Sequence, residues 1–416
     1  MSAFPVYDAV VNTDEKKGDY TLPSAAFANG ALNVFVRRGV YNEESDIVIP
    51  VGGTLTGEHR GLTIIDFGGN AGSIRCESGY LAVESAGTIE LVSGSAEVEG
   101  TDTTFTNLTV GDCIQIHNND VVIAAIADDT HLTLESAYNG RSGSGITFSA
   151  LLMRSYDSLK NFTVRNSTAT GLNFSGCRRL KLKDVTVRSC TPNLSFTQCG
   201  QFVARNVISE YSLGVGSAFN ACRSGTCSTV SALSNYSHGA TTTGNCTDLM
   251  LHDFEGTSNG GNGLYVNGVF SDANVTSCVF RQNYAAGAYT NSAAFSFVVN
   301  GCTVDSNGAT GIESHGEQAI FTNSTFRNNV TCGLDMSGDY CIAGKNIGFG
   351  SATGARISGS RCNFCDNSFT DASSDSCHIM SGADNNIVTG NHFEGGGNNT
   401  LYDEGTNTLT AQTNKP

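Results

Sequence analysis

The sequence predicts an all-β chain wound as a right-handed parallel β-helix, with an N-terminal capping helix and one small β-rich insert. Three observations carry this reading. Of 416 residues, 49 are glycine, 5 proline and none tryptophan. Short Val, Ile, Phe and Thr runs lie between Gly, Asn and Ser throughout, and few windows show a helical apolar period. A Gly or Asn followed by an aliphatic residue then recurs at Gly171, Asn193, Gly239, Gly263, Gly287, Gly311, Gly333 and Gly354, in steps of 22, 46 (two coils of 23), 24, 24, 24, 22 and 21 residues. Finally, NFTVRNSTATGL, DVTVRSCTPNL, SCVFRQNYAAGA, GCTVDSNGATGI and NSTFRNNVTCGL follow one template. A period of this length holding two or three short strands suits a β-solenoid. Leucine-rich repeats share the length, but their Leu-x-x-Leu-x-Leu pattern is absent.

Taken in order, residues 1–86 read as the cap and first coils. LPSAAFANG is a short amphipathic helix that covers strand edges otherwise left unpaired. ALNVFVRRGVY, DIVIPVGGTLTG and GLTIIDFGG are strands punctuated by glycine. Residues 87–150 break the period with longer, more cleanly alternating strands and form the insert. The main β-helix occupies 151–394, and 395–416 is a polar tail with no evident fold. Each coil stacks on the next at about 4.8 Å, so like residues meet. Asn166, Asn283, Asn307 and Asn329 are expected to form an asparagine ladder in one turn. Glycines are expected where turns need positive φ.

The net charge of −16 and pI of about 4.8 disfavour nucleic acid and anionic membranes as partners. No run of residues is long and apolar enough for a membrane span, and the first twenty have no apolar signal-peptide core. The chain is therefore expected to fold in a cytoplasm. The 15 cysteines lack zinc spacing, Cys362 and Cys365 making a lone CxxC. Many, such as Cys278 and Cys302, fall at apolar strand positions, as reduced core thiols do. No metal or cofactor is expected.

VFVRRGVY, after a short helix and before the IVIP and GTLTG strands, resembles the start of pectate-lyase-like β-helix proteins. The insert resembles a module of bacteriophage virion proteins, through Val110-Gly111-Asp112, the strand Val121 to Ile126, the segment Asp128 to Leu134 and the close Tyr138-Asn139-Gly140. The resemblance implies a phage tailspike or receptor-binding spike: a homotrimeric virion component, held with other phage tail proteins, that binds or cuts host surface polysaccharide. Neither a capsid-binding domain before the coils nor a trimerisation domain after them is evident, so attachment through another virion protein is the alternative to a free-standing trimer. A non-catalytic virion β-helix and a free polysaccharide lyase or epimerase are the other readings.

Strand alternation locates a candidate site. Leu264, Ala288, Ile312 and Leu334 should face the core. Tyr265, Tyr289, Glu313 and Asp335 should then share one outer column, with Asn267, Asn291 and His315 two residues further on and Glu317 and Asp339 at the strand ends. Equivalent carbons would lie roughly 5 Å apart and the carboxyls about 4 to 9 Å. Stacked carboxylates repel, so one is expected to hold its proton as a general acid. Glu313, Asp335 and His315 are thus the candidate catalytic residues of a glycan hydrolase, and the tyrosines are sugar platforms. A solvated outer face is the competing reading. Arg281 and Arg327 flank Asp305 in a second outer column, either as an ion ladder or as carboxylate binders.

Overall fold

In the structure, a computed structural model, residues 7–76, 82–84, 86–116, 119–151, 154–155 and 158–411 are described. The first six residues, His117 and the last five residues lie outside these. The chain is a right-handed parallel β-solenoid with almost no helix. Each coil contributes a strand to each of three walls. In one coil these are Leu264–Ser271 on the first wall, Asn274–Thr276 on the second and Val279–Arg281 on the third. In earlier coils one strand serves two walls. Lys181–Arg188 bends at Asp184, whose φ is 54°.

The repeat becomes register. On the first wall Leu264, Ala288, Ile312, Leu334 and Ala355 are Cα partners on successive rungs, and all are buried in one core that runs the length of the stack. Short polar residues take the left-handed corners between walls, among them Asp248, Ser258, Gln282, Ser306 and Asn328. Their side chains tolerate that conformation better than bulky ones do. Glycines take positive φ as expected at Gly52, Gly68, Gly244 and Gly301, but the repeated ones serve another end. Gly263 and Gly287 do not have positive φ. They are needed because a Cβ on Gly263 would lie 2.6 Å from the carbonyl oxygen of Gly287, and one on Gly287 2.6 Å from that of Gly311.

The asparagine ladder runs from Asn235 through Asn259, Asn283 and Asn307 to Asn329, each Nδ2 donating to the next Oδ1 at 2.9 to 3.0 Å. Asn166 is not in it. It occupies the left-handed corner one residue earlier (φ 58°) and donates to Asp66 Oδ1 instead. A second ladder joins Asn346, Asn367 and Asn391 between the second and third walls.

The helix Pro23–Ala28 starts on its proline and packs Ala26 and Phe27 onto the first rungs. Among the described residues no helix is long and apolar enough to cross a membrane. Beyond Gly395 the chain adds strands Asn399–Asp403 and Leu409–Ala411, which continue the first and second walls. The tail expected there is thus a further rung up to Ala411. Its many Thr and Asn residues hid strands whose partners come from the rung before.

Strands between Ala82 and Leu151 form one eight-stranded antiparallel sheet, with a separate core that includes Ile89, Val98, Phe105, Ile114, Leu132 and Tyr138. The solenoid is interrupted in sequence but not in space. Leu55 pairs directly with Leu159, Ile64 with Thr163 and Ile74 with Leu172. All fifteen cysteines are free thiols and only Cys365 is less than buried. Burial pushes Cys190 up to about 11 and Cys246 up to about 12, so both stay protonated and unreactive at neutral pH.

Candidate functional site

Parallel pairing on the first wall gives an outer column one rung apart: Thr241, Tyr265, Tyr289, Glu313, Asp335, Arg356, His378 and Tyr402. The column is aromatic at one end and charged in the middle. His238, in the turn before Ala240, stacks on Tyr265 with ring centroids 4.5 Å apart and planes at 10°. Tyr265 stacks on Tyr289 at 5.3 Å and 27°. Tyr289 is 5.5 Å from His315. Four rings thus form a continuous stack whose faces cover one another and whose edges and polar tips line the wall.

His315 and Glu313 lie two apart on the strand Ile312–Ser314 and its end, so they share the outer face. His315 Nε2 is 2.9 Å from Glu313 Oε1. With Nε2–H donating to the carboxylate, Nδ1 is the nitrogen that carries the lone pair. Both side chains are part-exposed, His315 at 36% and Glu313 at 28%. Burial, then the Glu313 charge, raises the Tyr289 pKa, so its phenol keeps its proton at neutral pH. Burial lowers the His238 pKa, and its Nδ1 accepts the Asn262 N–H at 2.9 Å, which fixes a neutral tautomer.

Asp335 departs from the expected pattern. It takes its place in the column, but its side chain is only 1% exposed. Arg356, from the next rung, covers it through Nε and Nη2, the Nε bond being 2.9 Å. Ser337 Oγ donates to its other oxygen at 3.1 Å. The bond to Asp335 raises the Arg356 pKa further. A carboxylate so neutralised is not repelled by Glu313, and the argument for a proton shared between the two loses its basis. The same repeat carried one rung further, Gly354-Ala355-Arg356, would have placed this cation in the column.

The remaining candidates are scattered. Asn267 is exposed beside Tyr265 on the same strand. Asn291 uses its Oδ1 to accept the Ala293 N–H, which closes a turn. Glu317 is exposed where the first wall turns to the second, in a bridge with Phe295. Asp339 accepts the Ser360 N–H at 2.7 Å and holds the next corner. Arg281 and Arg327 do not join the site. They lie on the third wall, on either side of Asp305, at 3.8 and 3.2 Å from its Oδ2. Strand alternation gave their outward direction correctly but not which wall they occupy. Beyond Arg356, the His378 ring lies 4.7 Å from Tyr402, tilted at 42°, and contacts Glu404 at 3.1 Å. Among the described residues, no three or more His, Cys, Asp or Glu side chains are placed to hold a metal ion.

Fold and wall together define a right-handed parallel β-helix protein with a polar, aromatic-lined outer face. A family model described as the right handed beta helix region matches residues 159–319. Solved structures with the same fold include the tailspike protein gp49 of Pseudomonas phage LKA1, at 15% identity and a TM-score of 0.57, covering 91% of this chain and 73% of that one. The mannuronan C-5 epimerase AlgE4 A-module of Azotobacter vinelandii is similar at 13% identity and a TM-score of 0.56, covering 92% and 93%. The catalytic domain of a GH87 alpha-1,3-glucanase, solved with tetrasaccharides, is similar at 10% identity and a TM-score of 0.52, covering 99% and 69%. Among curated proteins, none matches the sequence. The structural neighbours are thus phage tailspikes and polysaccharide-active β-helix enzymes.

Proposed function

We propose that the chain is a phage tailspike or receptor-binding spike whose first wall binds a host surface polysaccharide and acts on it by acid–base chemistry at His315 and Glu313. One observation carries this reading: the unbroken outer column in which stacked Tyr265 and Tyr289 run directly into the Glu313–His315 pair and the Asp335–Arg356 pair. The edges and hydroxyls of the stacked rings meet a sugar, and the dyad supplies a base oriented by a carboxylate. The phage-like insert and the tailspike among the neighbours support the setting.

The expected hydrolase is the weaker form of this reading. Glycosidases of either stereochemistry present two carboxylates to the scissile bond, and Asp335 is covered by Arg356. Elimination from a uronate unit suits the residues better. His315 Nδ1 takes the proton from the carbon bearing the carboxylate. Arg356 offsets the charge that develops on that carboxylate, and the glycosidic C–O bond breaks as the C=C bond forms. The Tyr289 phenol gives its proton to the departing oxygen. A purely adhesive wall is the remaining alternative.

Incubation with capsule or lipopolysaccharide of a host strain separates the three. Shortened chains with ultraviolet-absorbing unsaturated ends support elimination. New reducing ends without that absorbance would return the site to hydrolysis. Retained binding with unchanged chain length would leave an adhesin.

A further inference from the structure

A cavity of about 430 Å³ lies where the insert meets the solenoid, within the size range of small-ligand sites. Its walls come from both units: Val121, Val122 and Tyr138 of the insert, Arg178 and Arg179 of the corner after the first-wall strand Leu172–Ser175, and Gln201 of the same corner one rung on. The side chain of Arg178 is only 6% exposed. Its Nε is buried and, among the described residues, has no hydrogen-bond partner. Among the described residues, the acid within ion-pair distance is Glu135, whose Oε2 is 3.9 Å from Arg178 Nη1 and 3.2 Å from Arg179 Nη2. Two guanidinium groups against one carboxylate leave this cavity cationic in a chain of net charge −16.

A buried guanidinium with an unused donor is costly unless something completes it. Guanidinium forks match carboxylates in particular. Ser136, Asn139 and Gln201 add hydroxyl and amide groups, and Val121 and Val122 an apolar side. From this we infer that the cavity binds an acidic sugar unit, its carboxylate on Arg178 and Arg179 and its hydroxyls on the surrounding polar groups. The choice of a sugar over any other carboxylate rests on the polysaccharide reading of the first wall. The cavity sits four rungs before Tyr265, about 19 Å at the usual strand spacing. The first-wall column between them carries small side chains, Asn173, Ser195, Ala218 and Thr241, with His238 reaching over the last of these rungs onto Tyr265. One acidic polymer could therefore run from this anchor to the dyad.

Titration calorimetry of the intact protein with D-glucuronate, glucose, acetate and inorganic phosphate tests this. Glucuronate is expected to bind and glucose not. Arg178→Gln should weaken glucuronate about tenfold or more. Glu135→Gln, on the surface and harmless to folding, should tighten it several-fold by removing the competing carboxylate. That gain keeps the test valid if the Arg178 variant fails to fold. Phosphate or acetate binding as tightly as glucuronate would overturn the sugar assignment, and no glucuronate binding, or none sensitive to Glu135, would overturn the site. Glu135→Gln should leave depolymerisation at the first wall unchanged, so loss of the first-wall activity and loss of this site are separately visible.

Discussion

His315 and Glu313 share a strand face only because residues two apart in a strand do, and the hydrogen bond between them follows from that spacing. If the imidazole is the base, His315→Ala should lower polysaccharide turnover roughly a hundredfold or more, while binding to the tyrosine strip persists. Glu313→Gln should lose less, since the amide still accepts the imidazole N–H. Turnover measured as released oligosaccharide, with binding followed on an immobilised polymer, separates these effects. Asp335 and Arg356 make a different kind of pair. Removing Arg356 leaves a buried carboxylate without a counter-charge. Arg356→Met should therefore destabilise the protein by about 3 kcal/mol, whereas Asp335→Leu with Arg356→Met should recover much of that loss. Thermal melts of the single and double variants check this, and equal destabilisation in both would contradict it.

Elements are held at their corners. Asn329 and Asn328 are adjacent in sequence but do opposite jobs. Asn329 accepts from Asn307 inside the ladder, while Asn328 is exposed in a left-handed corner. In mid-ladder, Asn283→Ala strips partners from Asn259 and Asn307 and should cost about 2 kcal/mol or more. Asn328→Gly should change stability by no more than about 1 kcal/mol, because glycine enters that conformation without strain. Denaturant midpoints for the two variants measure the contrast. At the N-terminus, Glu43 is buried and takes hydrogen bonds from Ser24 N and Oγ at 3.0 and 2.6 Å, fixing the start of the helix. Burial raises its pKa, while the Ser24 bonds pull the other way. A raised folded pKa gives stability that is fully present below the ordinary glutamate value and is lost as pH rises through the folded one. The cap should thus be tightest in mild acid. Amide exchange across Pro23–Ala28 should quicken above that window beyond its intrinsic rise with pH, and Glu43→Gln should remove the extra pH dependence.

The whole molecule is a stack into which the insert is threaded without breaking it. Because rungs on either side of the insert already pair, replacing residues 82–151 with a short Gly-Ser linker should leave the solenoid folded. The two ends to be joined are close, since Glu84 pairs with Ala150 and Ala82 with Leu151. The shortened protein should keep its parallel β circular-dichroism signal and its first-wall activity. It should lose glucuronate binding in the cavity, of which the insert is one wall. Unfolding of the shortened chain would show that the insert supports the first coils.

The sequence by itself determined the rung-to-rung period, the inward and outward faces, and hence the vertical order of Tyr265, Tyr289, Glu313 and Asp335. A parallel coil of nearly fixed length turns sequence spacing into spatial register, so repeats of 21 to 24 residues could be read directly as rungs. Tertiary structure alone decided what lies beside each rung. It buried Asp335 beneath the Arg356 guanidinium, set His238 on Tyr265, and gave the column of Arg281 and Arg327 its own wall. It also carried the strand ladder beyond Gly395 and formed a cavity between two units distant in the chain. Those outcomes depend on which corner a turn occupies and how far a side chain reaches, and neither is encoded in a periodic pattern of apolar and polar residues.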